Sequence, residues 1–198
     1  MIHVVLFDLD GVVRHFDPAF MTDLEHRRGV NPGSIERVAF SKPLIEEVTT
    51  GRITRDEWVR RVGETLGNHA AAEEWGRHPS TVDDEVLDLS DEIRGLGLKT
   101  AILTNGTDTI AAEVDAHGFT GRFDAIFNSA VIGFAKPDVR AFQHVLDALD
   151  VTGDEVFFTD DTASKLVGAD TLGMRTHHFH GVRALLAELS AAGVPVGH

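Results

Sequence analysis

Val4-Val5-Leu6-Phe7-Asp8-Leu9-Asp10-Gly11-Val12-Val13 is the stretch on which the fold turns. Four apolar residues run without a polar break, which suits a strand covered on both faces. Asp8 follows at the carboxyl end, where an open α/β sheet places its ligands. Residues i and i+2 of a strand share a face, so Asp8 and Asp10 are expected to point into one small space. Two carboxylates about 4 Å apart repel by roughly 4 kcal/mol at an effective dielectric of 20. A shared proton, a shifted pKa or a cation relieves such a pair.

Downstream of this stretch the pattern becomes helical. Asp17-Pro18 reads as an N-cap with proline in the first turn, and Gly29 ends that helix after His26, Arg27 and Arg28. A short helix is expected within Asn31–Phe40, and Leu44–Val48 adds a turn. Thr54 to Glu57 reads as a capping box, with Thr54 accepting an amide proton and Glu57 reaching back. Trp58, Val59, Val62 and Leu66 mark the face of the helix that follows, and Asn68 caps one ending near Trp75. Residues 15–79 thus read as several short helices without a strand.

From Val82 onward, buried-strand runs alternate with helices. The strands are Thr100–Leu103, Ala125–Phe127, Val156–Thr159 and Met174–Thr176. That alternation predicts a doubly wound parallel sheet with right-handed crossovers. The expected organisation is an α/β core of residues 1–14 and 80–198, with residues 15–79 inserted as a small α-helical cap over the carboxyl edge of the sheet.

Composition narrows the function. A net charge of -14 repels nucleic acid and anionic membranes, so neither is expected as a partner. It also means that a phosphate site needs local cations. Two readings of the acidity remain, solubility and adaptation to high salt. No apolar run is long enough to span a membrane. There are no cysteines, which excludes disulfides, thiolate metal sites and cysteine nucleophiles. The chain starts directly on a strand with no secretory signal, and a cytoplasmic location is expected.

Four places converge on one edge of this sheet: Asp8 with Asp10, Thr104-Asn105-Gly106, Lys136-Pro137-Asp138 and Asp160-Asp161. In this order, each at a junction between strand and helix, they resemble the motifs of the haloacid dehalogenase superfamily. The fourth runs through Phe157-Phe158-Thr159-Asp160-Asp161 to Gly168-Ala169 and Leu172-Gly173-Met174, and the helical insert resembles that family's small cap. The resemblance implies a three-layer core and a phosphohydrolase acting on a small phosphorylated metabolite. Asp8 becomes the nucleophile and Asp10 the general acid and base. Thr104 donates to a phosphoryl oxygen, Asn105 and Gly106 assist in binding it, and Lys136 neutralises charge. Mg²⁺ is implied, held by the Asp8 carboxylate, the Asp10 main-chain oxygen and Asp161, with Asp160 in support. Oligomeric state is not readable.

Asp10 favours phosphoryl chemistry over carbon–halogen cleavage, because the dehalogenases of the family lack an acid there. A phosphomutase shares the pair of acids, and a non-catalytic phosphate-binding regulator keeps the fold without turnover. One departure stands out. Four residues after Asp161, where the family commonly has an acid or asparagine, this chain has Lys165. It is open to pairing with Asp160, to touching the phosphate or to pointing outward. Arg14 is open to meeting a substrate anion or to bracing the hinge of the cap. Trp58 and Trp75 read as cap core before substrate platforms. His177, His178 and His180 read as a strand-end cluster rather than a metal site.

Overall fold

A computed structural model describes residues 1–197. The first strand, β1 (Val4–Phe7), is wholly buried. The chain then makes a tight loop into a three-residue strand, β2 (Arg14–Phe16). Five helices follow: α1 (Pro18–Arg28), α2 (Ser34–Ala39), α3 (Leu44–Thr49), α4 (Arg55–Leu66) and α5 (His69–Trp75). A return strand, β3 (Ser80–Val82), pairs antiparallel with β2, Arg14 opposite Val82. The remainder alternates: α6 (Asp84–Gly95), β4 (Lys99–Thr104), α7 (Ile110–Ala116), β5 (Ala125–Asn128), the short α8 (Ser129–Ile132), α9 (Val139–Leu149), β6 (Val156–Asp160), α10 (Val167–Thr171), β7 (Arg175–His178) and α11 (Val182–Ala191).

The main sheet is parallel, ordered β5-β4-β1-β6-β7. Strand order reverses between β1 and β6, which makes the carboxyl ends of those two strands a switch point where such sheets bind ligands. Alternate residues of the strands feed two cores. Val5, Phe7, Ile102 and Phe157 pack under α6, α7 and α11 through Val86, Ile93, Ile110, Val114, Leu185 and Leu189. Val4, Leu6, Ala101, Leu103 and Phe158 face α9 and α10 through Phe142, Val145, Leu146 and Ala169. The result is three layers, α/β/α, of the expected doubly wound class.

A third core belongs to the insert alone. Leu24, Ile35, Val48, Trp58, Val62 and Trp75 pack together, with the two indoles edge to face at 4.8 Å between centroids. The caps read from sequence form at Asp17, Thr54 and Asn68, whose side chains accept from Ala19, Glu57 and Ala71 main-chain nitrogens.

Three expectations change. The insert is not strand-free at its borders, because β2 and β3 form a ribbon at the neck. Glu57 does not complete a capping box; Arg60 and Arg61 bond its carboxylate instead. Those hydrogen bonds, from Arg60 first and then Arg61, hold it well below the usual carboxylate range, at about 2. The last strand runs Arg175–His178 rather than from Met174.

Candidate active site

The strand ends of β1 and β6 deliver the first charges. Asp8 lies one residue past β1 and is 2% exposed. Its Oδ1 accepts from the Leu9 main-chain nitrogen at 2.7 Å and lies 2.8 Å from Lys136 Nζ. Asp160, the last residue of β6, is fully buried. Its Oδ2 accepts from Lys136 Nζ at 2.6 Å and its Oδ1 from the Thr162 main-chain nitrogen at 2.8 Å. The Lys136 side chain is therefore sealed between two carboxylates. Buried charges of this kind persist only when paired and hydrogen-bonded.

Asn105 sets Lys136 in place. Its Nδ2 donates to the Lys136 carbonyl at 2.8 Å, and its Oδ1 accepts from the Lys136 main-chain nitrogen at 2.7 Å. Each polar atom of the Asn105 side chain thus makes one bond to the lysine loop, and the residue also lines the cavity described below. Beside it, Thr104 ends β4 and is buried. Gly106 is required by space, since a Cβ there would come within 2.3 Å of Ile110 Cγ1.

The acids converge differently from the simple strand rule. Strand geometry stops at Phe7, so Asp8 and Asp10 need not share a face. Asp8, Asp160 and Asp161 offer carboxylate oxygens all within 4.8 Å of one another, and Asp10 is outside this group. The Asp10 carboxylate turns to Arg14, which grips it through Nε and Nη2. Gly11, at φ +92°, allows Asp161 in: a Cβ at Gly11 would lie 2.1 Å from Asp161 Oδ2.

Cations answer this acid cluster. Lys165 turns inward, its Nζ 3.5 Å from Asp8 Oδ2 and 3.9 Å from Asp160 Oδ1. That settles its direction among the alternatives left by the sequence. Burial pulls its ammonium down, and Asp8, Asp160 and Asp161 more than reverse this, leaving it above the ordinary lysine value. Burial pushes the Asp8 carboxyl up; Lys136 opposes the shift and Asp160 adds to it. Asp8 Oδ2 is buried and accepts no hydrogen bond.

Arg14 also bonds Glu113 of α7 at 2.7 Å, so its partners are Asp10 and a core acid. Glu113 further binds Arg55, the first residue of α4, at 3.0 Å, and Thr109 at 2.6 Å. Arg55 reaches back to the Gly76 carbonyl, and its main-chain nitrogen donates to Asp108. Sequence reading missed Glu113 and Arg55. Each is one charge on a helix otherwise read for its apolar face, and nothing local marks it. The three histidines at the end of β7 divide between two settings. His177 faces Thr159 Oγ1 at 2.9 Å, whereas His178 meets His180 edge to face and bonds the Asp161 carbonyl.

A cavity of about 710 Å³ opens beside Asp10, Asn105 and Gly106, between the insert and the sheet edge.

Comparison with known proteins fixes the family. The chain matches the haloacid dehalogenase-like hydrolases over residues 2–173. It belongs to that family. A phosphatase of Mycobacterium tuberculosis is 29% identical over 200 residues, covering 89% of this chain and 86% of its own. A sesquiterpene phosphatase of Aspergillus oryzae is 26% identical, with 93% of each chain covered. The fold is shared with a HAD family enzyme of Bacteroides thetaiotaomicron, solved with magnesium and inorganic phosphate. That likeness has a TM-score of 0.74 at 21% identity, over 89% of this chain and 93% of the other. This haloacid dehalogenase-like hydrolase thus has phosphatases among its relatives. No described helix is long and apolar enough to cross a membrane.

Proposed function

We propose that this hydrolase is a Mg²⁺-dependent phosphatase of small phosphorylated metabolites, working through an aspartyl phosphate on Asp8. The observation that carries the reading is Asp8 itself. One oxygen is fixed by Lys136 and the Leu9 amide; the other is buried without a hydrogen bond, 3.5 Å from the Lys165 ammonium, and Asp160 and Asp161 bring carboxylate oxygens within 4.8 Å of this residue.

The same observation tests the metal. Asp8, Asp160 and Asp161 form a compact set of hard oxygen donors around an orphaned carboxylate oxygen, which suits Mg²⁺. Asp160 is engaged by Lys136 and Thr162, so Asp161 with Asp8 would hold the ion directly and Asp160 would support them. When bound, the ion offsets carboxylate repulsion and withdraws charge from the phosphoryl oxygens.

The residues divide the chemistry as follows. Asp8 attacks phosphorus; the bond from phosphorus to the alcohol oxygen breaks, and Asp10 gives that oxygen its proton. Asp10 then takes a proton from water as the water attacks phosphorus, which releases phosphate and restores Asp8. Thr104 and main-chain amides near Gly106 donate to the phosphoryl oxygens. Lys136 holds Asp8 in line and offsets the negative charge there. Asn105 positions Lys136, and Arg14 positions Asp10. The Asp10 carboxyl argues against carbon–halogen cleavage, which needs no acid to protonate a leaving halide.

Release of phosphate from a generic aryl phosphate tests the reading. Mg²⁺-dependent hydrolysis is expected, and Asp8→Asn should reduce it to background. Absence of Mg²⁺-dependent release by the wild type, or full activity in Asp8→Asn, would overturn it.

A further inference from the structure

The cavity beside Asp10 has a wall of unusual chemistry for a site that must accept a charged ester. Phe16, Met21, Phe40, Ile45, Trp58 and Trp75 all line it. Its volume of about 710 Å³ far exceeds a phosphate group. It falls within the range of about 300–1,000 Å³ typical of pockets that enclose whole organic ligands.

Several polar side chains on the same wall already have protein partners, whereas Glu36, Arg77 and His78 keep polar atoms open to a ligand. Arg14 is held by Asp10 and Glu113, and Arg55 by Glu113 and the Gly76 carbonyl. Thr49 bonds the Ile45 carbonyl, Ser80 bonds His117, and the Trp58 indole donates to the Ala39 carbonyl. His78 stacks on Phe20, 4.1 Å between ring centroids, and its Nε2 is buried without a hydrogen-bond partner. Beyond the few hydroxyls that His78, Glu36 and Arg77 could serve, a polyhydroxylated substrate would have to break such bonds, whereas an apolar one needs none of them.

We infer that the phosphate ester accepted by this protein carries an apolar hydrocarbon body, that is, the monophosphate of a lipophilic alcohol, with the body lodged between insert and sheet edge. The inference rests on the phosphatase reading for turnover, though not for binding. Apolar burial of this kind is uniform binding, present in ground and transition states alike, so it lowers KM and leaves kcat nearly constant.

Two measurements test it. In a series of alkyl monophosphates from ethyl to octyl, KM should fall about three- to fourfold per methylene until the cavity fills, and hexose phosphates should be poorer substrates than octyl phosphate. Met21→Gln and Phe40→Ser, uncharged changes in the wall, should raise KM for octyl phosphate about tenfold or more and KM for ethyl phosphate far less. The second measurement needs no catalysis. The only two tryptophans in the chain both line the cavity. Octylphosphonate should therefore change the intrinsic fluorescence, in Asp8→Asn as well as in the wild type, whereas methylphosphonate should not. A KM independent of chain length, a preference for hexose phosphates, or no fluorescence response to octylphosphonate would overturn the inference and leave the phosphatase reading standing. A fluorescence response with no hydrolysis of any ester would overturn the phosphatase reading and leave the apolar ligand class intact.

Discussion

Lys136 is a buried cation shared by two buried carboxylates. It is enclosed between Asp8 and Asp160, and its ammonium lies within 2.8 Å of both. Replacing it by methionine keeps the volume and leaves two buried carboxylates without their cation. Removing one partner of a buried pair costs about 3–5 kcal/mol. Chemical denaturation of Lys136→Met should show a loss of that size, and added Mg²⁺ should recover part of it. Lys165 faces the same acids from the opposite direction. A fixed ammonium 3.5 Å from Asp8 Oδ2 competes with any divalent ion for that oxygen. Lys165→Asn should tighten Mg²⁺ binding in calorimetry by about tenfold, equivalent to ~1.4 kcal/mol. Unchanged affinity would mean that the lysine swings clear when the ion binds. The acid-cluster residues were legible in the sequence because each sits at the carboxyl end of an apolar strand. Their partners were not. The pairing of Asp10 with Arg14, and of Asn105 with Lys136, depends on loop paths that no periodicity encodes.

At the scale of the element, α7 and α4 are tied together through Glu113. Burial pushes the Glu113 carboxyl up, but hydrogen bonds from Thr109 and Arg14 and the charges of Arg14 and Arg55 outweigh it, so it lies below its ordinary 4.5. A depressed carboxyl contributes stability that is complete above 4.5 and is lost as pH falls through the lower folded value. Glu113→Gln should cost about 1 kcal/mol near neutral pH, after allowing for solvent screening of a part-exposed group. The difference from wild type should vanish in acid, and melting curves across pH check both points. Gly106, at the start of the turn into α7, allows only a small change. Gly106→Ala would press on Ile110 and should destabilise by about 1–3 kcal/mol, as overpacked sites do. Helices and long strands were readable here because their apolar residues repeat at 3.6 or run unbroken. The ribbon of β2 and β3 was not. Three residues per strand are too few to show alternation, and Arg-His-Phe against Ser-Thr-Val becomes a ribbon only because the insert brings its two ends side by side.

Across the whole molecule, the dominant long-range term is charge. A net charge of -14 surrounds a site that must receive an anion. Lys136 and Lys165 offset part of the acid cluster locally, and the surface opposes approach from a distance. Salt screens that opposition over a Debye length of about 8–10 Å. Raising ionic strength from low to physiological should therefore raise kcat/KM for a dianionic ester by about two- to tenfold. A phosphate site steered by a positive surface would show the reverse. The layered architecture was readable from the order of strands and helices alone. The separate core of the insert was readable from the helical faces carrying Trp58, Val62 and Trp75. What lay beyond the sequence was the space between insert and sheet, because a cavity is defined by what fails to touch.

The ribbon at the neck bears on how such a protein can vary. Both crossings between sheet and insert run through adjacent, hydrogen-bonded strands, with Arg14 beside Val82 and Phe16 beside Ser80. The insert begins and ends within one strand spacing of itself, so its length and content are free of the register of the main sheet. A longer loop there adds closure entropy only slowly, about 0.6 kcal/mol for each doubling. The ribbon is in effect a socket: helices plugged into it can be exchanged, lengthened or redesigned while Asp8, Lys136 and Asp160 keep their places.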